Sequence, residues 1–162
     1  MMTGIPSVNK IYLIYQLLTL AFICLFAIYD KRHHKIRNTA LLIFLPWCLL
    51  SIPLNICFLP AVPWPYIVLR SILGCANGFF SLLFVSMVTD GGIGGGDIKF
   101  VGLLGIIYGT TGLIHILFLS CLIALLHNGI KKIFHKLTQR NIPFAPYLFY
   151  GCTLYMIFFQ NY

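Results

Sequence analysis

Residues 89–126 read TDGGIGGGDIKFVGLLGIIYGTTGLIHILFLSCLIALL, and the interpretation of this stretch decides the fold. A glycine-dense opening carries two acids, Asp90 and Asp97. It runs into residues 98–126, which are apolar throughout apart from Lys99 and a few small or weakly polar side chains. The run is either one long helix or a hairpin of two short ones. Gly109-Thr110-Thr111-Gly112 in its middle supplies the turn signal for a hairpin.

The rest of the chain sets the choice. Of its 162 residues, 60% are apolar or aromatic and 9% are charged, with a mean hydropathy of +0.94. A soluble domain has about 45–50% apolar and about 25% charged residues. A core of this size cannot bury so much apolar surface and still show water a polar face. A soluble domain, a disordered chain and a nucleic-acid binder are therefore excluded, and a single membrane-embedded all-α domain over residues 1–162 is expected. Residues 11–29, 39–59, 66–88 and 144–159 are the other apolar runs. The first lacks a small-x-small cleavage site and reads as a retained span. Pro46 and Pro53 should bend the second. Arg70, near the start of the third, is placed to snorkel outward. Trp64 and Tyr66, beside the turn marked by Pro60, Pro63 and Pro65, suit a membrane–water interface.

Eleven Lys and Arg stand against three acids, a net charge of +8. Eight of the eleven fall in two loops, Lys31, Arg32, Lys35 and Arg37 in one, Lys131, Lys132, Lys136 and Arg140 in the other. The positive-inside rule puts both loops on the cytoplasmic side, so an even number of crossings must separate them. The runs at 39–59 and 66–88 make two. A single helix over 98–126 makes three, whereas a hairpin makes four. The charge bias thus predicts the hairpin, a polytopic protein of about six transmembrane helices, and both termini outside. It also places Asp30, at the end of the first span, at the same membrane depth as Asp97, at the start of the fourth.

Asp30, Asp90 and Asp97 are the only acids, because the chain has no Glu. An ionisable group near hydrocarbon is a functional candidate. Two carboxylates at one depth suggest a dyad sharing one proton, in which the ionised member takes a proton from water and the other donates to a peptide carbonyl. Glycine ahead of Asp97 fits such chemistry, since a chain without Cβ lets an extended substrate approach. A phosphate loop fits poorly, because the GxxxxGK[ST] form is missing. The cysteines at 24, 48, 57, 75, 121 and 152 form no C-x-x-C pair and read as small buried hydrophobes. Neighbouring His33 and His34 share no helix face and find no third ligand, so neither a metal nor a cofactor is expected. His115, His127 and His135 are scattered and receive no role.

Gly94-Gly95-Gly96-Asp97-Ile98-Lys99 resembles the GxGDxK signature of the type IV prepilin peptidases, a family of GxGD membrane aspartyl proteases. Asp30, followed by Ile36 and Asn38, is similar to that family's first catalytic Asp with its I-P-N stretch. Residues 142–148, IPFAPYL, are similar to its closing IPFGPxL segment. The resemblance implies a catalytic pair Asp30 and Asp97, supported by motif residues Gly94, Gly96, Lys99 and Asn38. Lys99 would steady the local charge at the membrane face. The implied substrate is a pilin-like precursor, cut just after its basic N-terminal leader at the cytoplasmic face of a prokaryotic plasma membrane. Membrane lipids would be the other partner, with anionic headgroups on the basic loops. Arg37 replaces the usual proline and Ala145 the usual glycine, and neither is expected to touch the acids. The cytoplasmic domain with paired C-x-x-C motifs, tied to N-methylation in bifunctional members, is not seen, so cleavage without methylation is expected.

Other readings stand beside these. Asp30 could be salt-bridged to Lys31 or Arg32, Asp97 could cap its helix, and Asp90 reads as a solvated loop acid. Presenilin-type GxGD proteases have about nine spans and a PAL motif, both missing here. A small transporter or assembly subunit could use Asp30 and Asp97 as an ion or proton site, although such acids usually lie near the bilayer midplane.

Overall fold

A computed structural model describes residues 6–33, 36–89, 92–133 and 144–159. Of the residues weighed above, His34, Lys35, Asp90, Gly91, His135, Lys136, Arg140, Ile142 and Pro143 lie outside these. The described residues form six α-helices and no strand: α1 Pro6–His33, α2 Asn38–Leu49, α3 Ser51–Phe58, α4 Trp64–Val88, α5 Gly95–Ile133 and α6 Ala145–Phe159. Four stretches are long and apolar enough to cross a membrane, namely Lys10–His33, Asn38–Phe58, Trp64–Val88 and Gly95–Ile130; Ala145–Phe158 is a shorter apolar helix. Large side chains such as Leu25, Ile43, Phe84 and Phe118 are exposed all along them, as lipid-facing surface must be. The protein is an all-α polytopic membrane protein.

Helix boundaries follow local chemistry. α1 continues past Tyr29 because Lys31, Arg32 and His33 fill its last turn, where cations offset the helix dipole. The first basic residues are therefore helical rather than loop. Pro53 has no N–H to give the Leu49 carbonyl, and the second apolar run divides at Leu50 into α2 and α3. Leu50 keeps helical dihedrals and its N–H still reaches the Pro46 carbonyl at 3.1 Å, so the break is slight. α4 begins at Trp64, two residues earlier than its apolar run, because Pro65 is tolerated in a first helical turn.

α5 carries the reversal that the charge count demanded. Gly109 leaves the helix at φ 68°, ψ −179°, a conformation that disfavours any side chain. Residues 95–108 and 110–133 are two helices folded against each other there. A Cβ on Gly78 would touch both the Val101 carbonyl at 2.8 Å and the Leu113 side chain at 2.7 Å. Val101 and Leu113 would stand about 18 Å apart along a straight helix. The turn uses Gly109 alone, since Thr110, Thr111 and Gly112 are already helical. With α2 and α3 taken together and the halves of α5 counted separately, the described chain makes six passes of the bundle.

Arg70 does not snorkel. Its Nη2 donates to the Tyr108 carbonyl at 3.0 Å, and a Cβ on Gly109 would collide with its side chain. The reversal leaves the last carbonyls of the first half of α5 without helical partners, and an arginine can supply the donor. This inward bond outweighs the pull of the interface.

α4 packs most extensively on α5, at Gly74 and Gly105, where backbone meets backbone without a side chain between them. α6 runs antiparallel to the second half of α5, with Gly151 on Ser120 and Tyr155 on Gly112 and Tyr108. Aromatic rings join α1 to α2: Phe22 and Phe26 meet Phe44, and Tyr15 stacks on Trp47 at 5.1 Å between centroids. Trp47 Nε1 donates to Thr19 Oγ1 at 3.0 Å in the same layer.

A Gly74→Val variant should lose roughly 1–3 kcal/mol, because its side chain overlaps the Gly105 backbone. Gly129 meets nothing within 4 Å, and Gly129→Ala should gain about 0.5–1 kcal/mol from helix propensity alone. Thermal midpoints of the two variants in detergent should therefore move in opposite directions.

Candidate active site

Two passes, α2 with α3 and then α4, bring the start of α5 to the end of the bundle where α1 finishes, and the reversal at Gly109 returns the start of α6 to the same end. Asp30 lies in the last turn of α1 and is 3% exposed, whereas its neighbours Lys31 and Arg32 are exposed. Its carboxylate turns inward. Asp30 Oδ2 accepts a hydrogen bond from the backbone N–H of Ala145 at 3.2 Å. Ala145 is the first residue of α6, and the N–H groups of a first turn have no partner within their own helix. The positive end of the α6 dipole thus faces an acid. The expectation that Ala145 stays clear of the acids is corrected. Contact runs through the main chain, so alanine serves there as well as glycine.

Asp97 comes from the first turn of α5. Gly95 and Gly96 are already helical, and the N–H groups of Asp97 and Ile98 both bond the Gly94 carbonyl, at 3.0 and 3.3 Å. The loop therefore ends at Gly94, and Gly95 and Gly96 belong to the helix. Asp97 Oδ1 is buried and accepts no hydrogen bond among the described residues. An orphaned buried carboxylate oxygen is costly, of order 1–3 kcal/mol or more. Such a cost at a polar cluster marks a place built for a proton or a water. Asp30 is close enough for its charge to act on Asp97.

The motif residues hold these elements together. A Cβ on Gly96 would come to 2.9 Å from the Ile36 carbonyl and 3.0 Å from Ile36 Cβ, so the segment after α1 lies directly on the first turn of α5. A Cβ on Gly95 would meet nothing within 4 Å, so the middle position of the motif has room for a side chain. Lys99 Nζ donates to Asn38 Oδ1 at 3.1 Å and ties α5 to the first residue of α2. Its bond partner is thus a neutral amide on another helix. Asp30, Asp97, Gly94, Gly96, Lys99 and Asn38 all gather at this end of the bundle.

Two contacts here were not legible as site features. The Ala145 N–H is a backbone donor with no side-chain signature, although the segment containing it had been singled out. His127, given no role, has its Nδ1 2.8 Å from the Tyr147 hydroxyl and joins the second half of α5 to the first turn of α6. The hairpin alone creates that contact. Among the described residues no group of three or more His, Cys, Asp or Glu is placed to hold a metal ion. His33 instead stacks on Tyr29, with ring centroids 4.3 Å apart.

Residues 17–128, which include Asp30 and Asp97, match the model of the type IV leader peptidase family. Over 136 residues the chain is 30% identical to a prepilin leader peptidase/N-methyltransferase of Bacillus subtilis (strain 168), covering 83% of this chain and 52% of that protein. The chain thus spans about half the length of this curated relative. No solved structure matches. A family match over more than half the sequence, with the motif residues assembled at one end of a membrane-spanning bundle, makes the chain a member of the type IV leader peptidase family.

Proposed function

We propose that this peptidase is of the aspartic type, with Asp30 and Asp97 as its catalytic pair. The observation that carries the reading is the convergence of two acids, 67 positions apart, at the meeting point of three helix ends. Like charges that close do not both ionise cheaply, so the pair shares one proton. A water held between them gives a proton to the ionised carboxylate and attacks the scissile carbonyl, while the protonated carboxyl donates to the carbonyl oxygen. Collapse of the tetrahedral intermediate returns a proton to the leaving amine. The Ala145 N–H fixes the orientation of Asp30, and the Lys99–Asn38 bond fixes the start of α5. Gly94 and Gly96 keep Cβ atoms away from Asp97 and from the Ile36 backbone.

The substrate in this reading is a pilin-like precursor, cut after its basic leader. The relative's name includes leader peptidase activity, and exposed Lys31, Arg32 and Arg37 beside the acids support a cytoplasmic site by the positive-inside rule. The membrane is then the plasma membrane of a prokaryote, with the chain crossing six times. Methyl transfer is not assigned to these residues, whose cysteines form no C-x-x-C pair. Acids at a helix end, not midway along a helix, favour a peptidase reached from the aqueous face over an ion-conducting subunit.

Co-expression with a pilin-like precursor tests the pair. Asp30→Asn and Asp97→Asn should each cut leader removal by at least roughly 10²–10⁴-fold, with normal membrane insertion. Cleavage retained by either variant contradicts the dyad.

The glycines supply a separate test. Gly96→Val must displace the Ile36 backbone and should lower cleavage at least about tenfold, whereas Gly95→Ala should remain near wild type. The rate of precursor processing in membranes distinguishes them, and equal effects at the two positions would contradict the placement of α5 against Ile36.

A further inference from the structure

A groove of about 400 Å³ opens to the lipid side between α1 and α2. Phe22, Leu25 and Phe26 form one wall, and Ala40 and Ile43 the other, with Tyr29 and Arg37 at the mouth. The two helix backbones stand apart here and are bridged by rings, Phe22 to Phe44 at 5.7 Å and Phe22 to Trp47 at 5.3 Å between centroids. From Tyr29 down to Phe22 the groove is about 10 Å deep. The space accommodates a slender chain.

Arg37 gives the mouth its character. It stands at the N-cap of α2 with φ −73° and ψ 133°, dihedrals that a proline would adopt without strain, and makes no side-chain capping bond. Asp, Asn, Ser or Thr would satisfy the first turn there, and a cation at a helix N-terminus opposes the dipole. Local rules thus disfavour an arginine at this position. A guanidinium at the head of an apolar groove has a different use: it pairs with a phosphate through parallel hydrogen bonds. Exposed Lys31 and Arg32 in the last turn of α1 add positive charge at the same end, in a chain of net charge +8.

We propose that this groove binds one anionic phospholipid, its phosphate on Arg37 and the upper part of an acyl chain between Phe22, Leu25, Phe26, Ala40 and Ile43. The complement to the charge at the mouth is an anionic headgroup, and the complement to the walls is hydrocarbon, which together specify a lipid and not a free anion. The site adjoins the candidate active site through Tyr29, next to Asp30, but does not depend on the peptidase reading.

Native mass spectrometry of the purified chain in nanodiscs of phosphatidylglycerol and phosphatidylcholine tests this. Wild type should retain one phosphatidylglycerol per chain in preference to phosphatidylcholine. Arg37→Gln, at an exposed position, should reduce that retention at least tenfold, Arg37→Lys should keep part of it, and Lys31→Gln should change it little. Ala40→Phe fills the groove and should also release the lipid, with its thermal midpoint confirming a folded chain. Equal retention of the two lipids, or unchanged retention in Arg37→Gln, overturns the proposal. Release by Arg37→Gln without release by Ala40→Phe also overturns it, because surface charge alone would then explain binding.

Discussion

The reversal of α5 at Gly109 is the constraint on which the rest of the molecule depends. A helix of 39 residues would otherwise run about 58 Å and carry its two ends far apart. Folded at one glycine, it returns to the end of the bundle from which it started. A single positive-φ residue makes the turn, and Arg70 from α4 holds it by bonding the Tyr108 carbonyl. Glycine is required there twice over, for its backbone conformation and for the space the arginine takes. The close backbone contact of Gly74 with Gly105 keeps the first half of α5 locked to α4 just below the turn. In lipid, where apolar side chains gain little by leaving their solvent, such close contacts and inward hydrogen bonds are the main glue between helices.

The reversal completes the candidate site by returning α6 to it. Asp30 ends one helix, Asp97 starts a second, and the Ala145 N–H starts a third. Helix ends are where unpaired backbone groups and oriented dipoles collect, so three ends meeting in one place make a polar pocket inside an otherwise apolar protein. The Tyr147–His127 contact and the Lys99–Asn38 bond each tie one of these ends to a neighbouring helix. The groove proposed to hold a lipid lies on the outer side of the same junction, between α1 and α2.

Much of this was legible in the amino-acid sequence for identifiable reasons. Two loops of like charge separated by an odd number of apolar runs required one run to double back, and the hairpin followed from that count. Motif residues Gly94, Gly96, Asp97 and Lys99 were recognisable because they are close in sequence, and Asn38 because it follows Asp30 at short spacing. Contacts made across the bundle were not. Arg70 read as an interfacial cation because nothing local to it announces an unpaired carbonyl 38 positions away. Ala145 read as a bystander because its contribution is a backbone N–H. The run of glycines read as an opening for an extended substrate, yet the Gly94 carbonyl nucleates a helix that absorbs Gly95 and Gly96. Periodicity and composition report on faces and environments, and these three cases turn on single polar groups at helix ends.

The most direct test of the account is the distance between the two ends of α5. Gly95 and Gly129 are 34 positions apart and both face open space, so Gly95→Cys and Gly129→Cys accept spin labels without disturbing packing in a background lacking the native cysteines. Pulsed electron paramagnetic resonance in nanodiscs should give a separation below about 25 Å, as expected for the same end of neighbouring helices. A separation near 50 Å, the length of an unbroken helix between those positions, would contradict the reversal and with it the placement of the Ala145 N–H on Asp30.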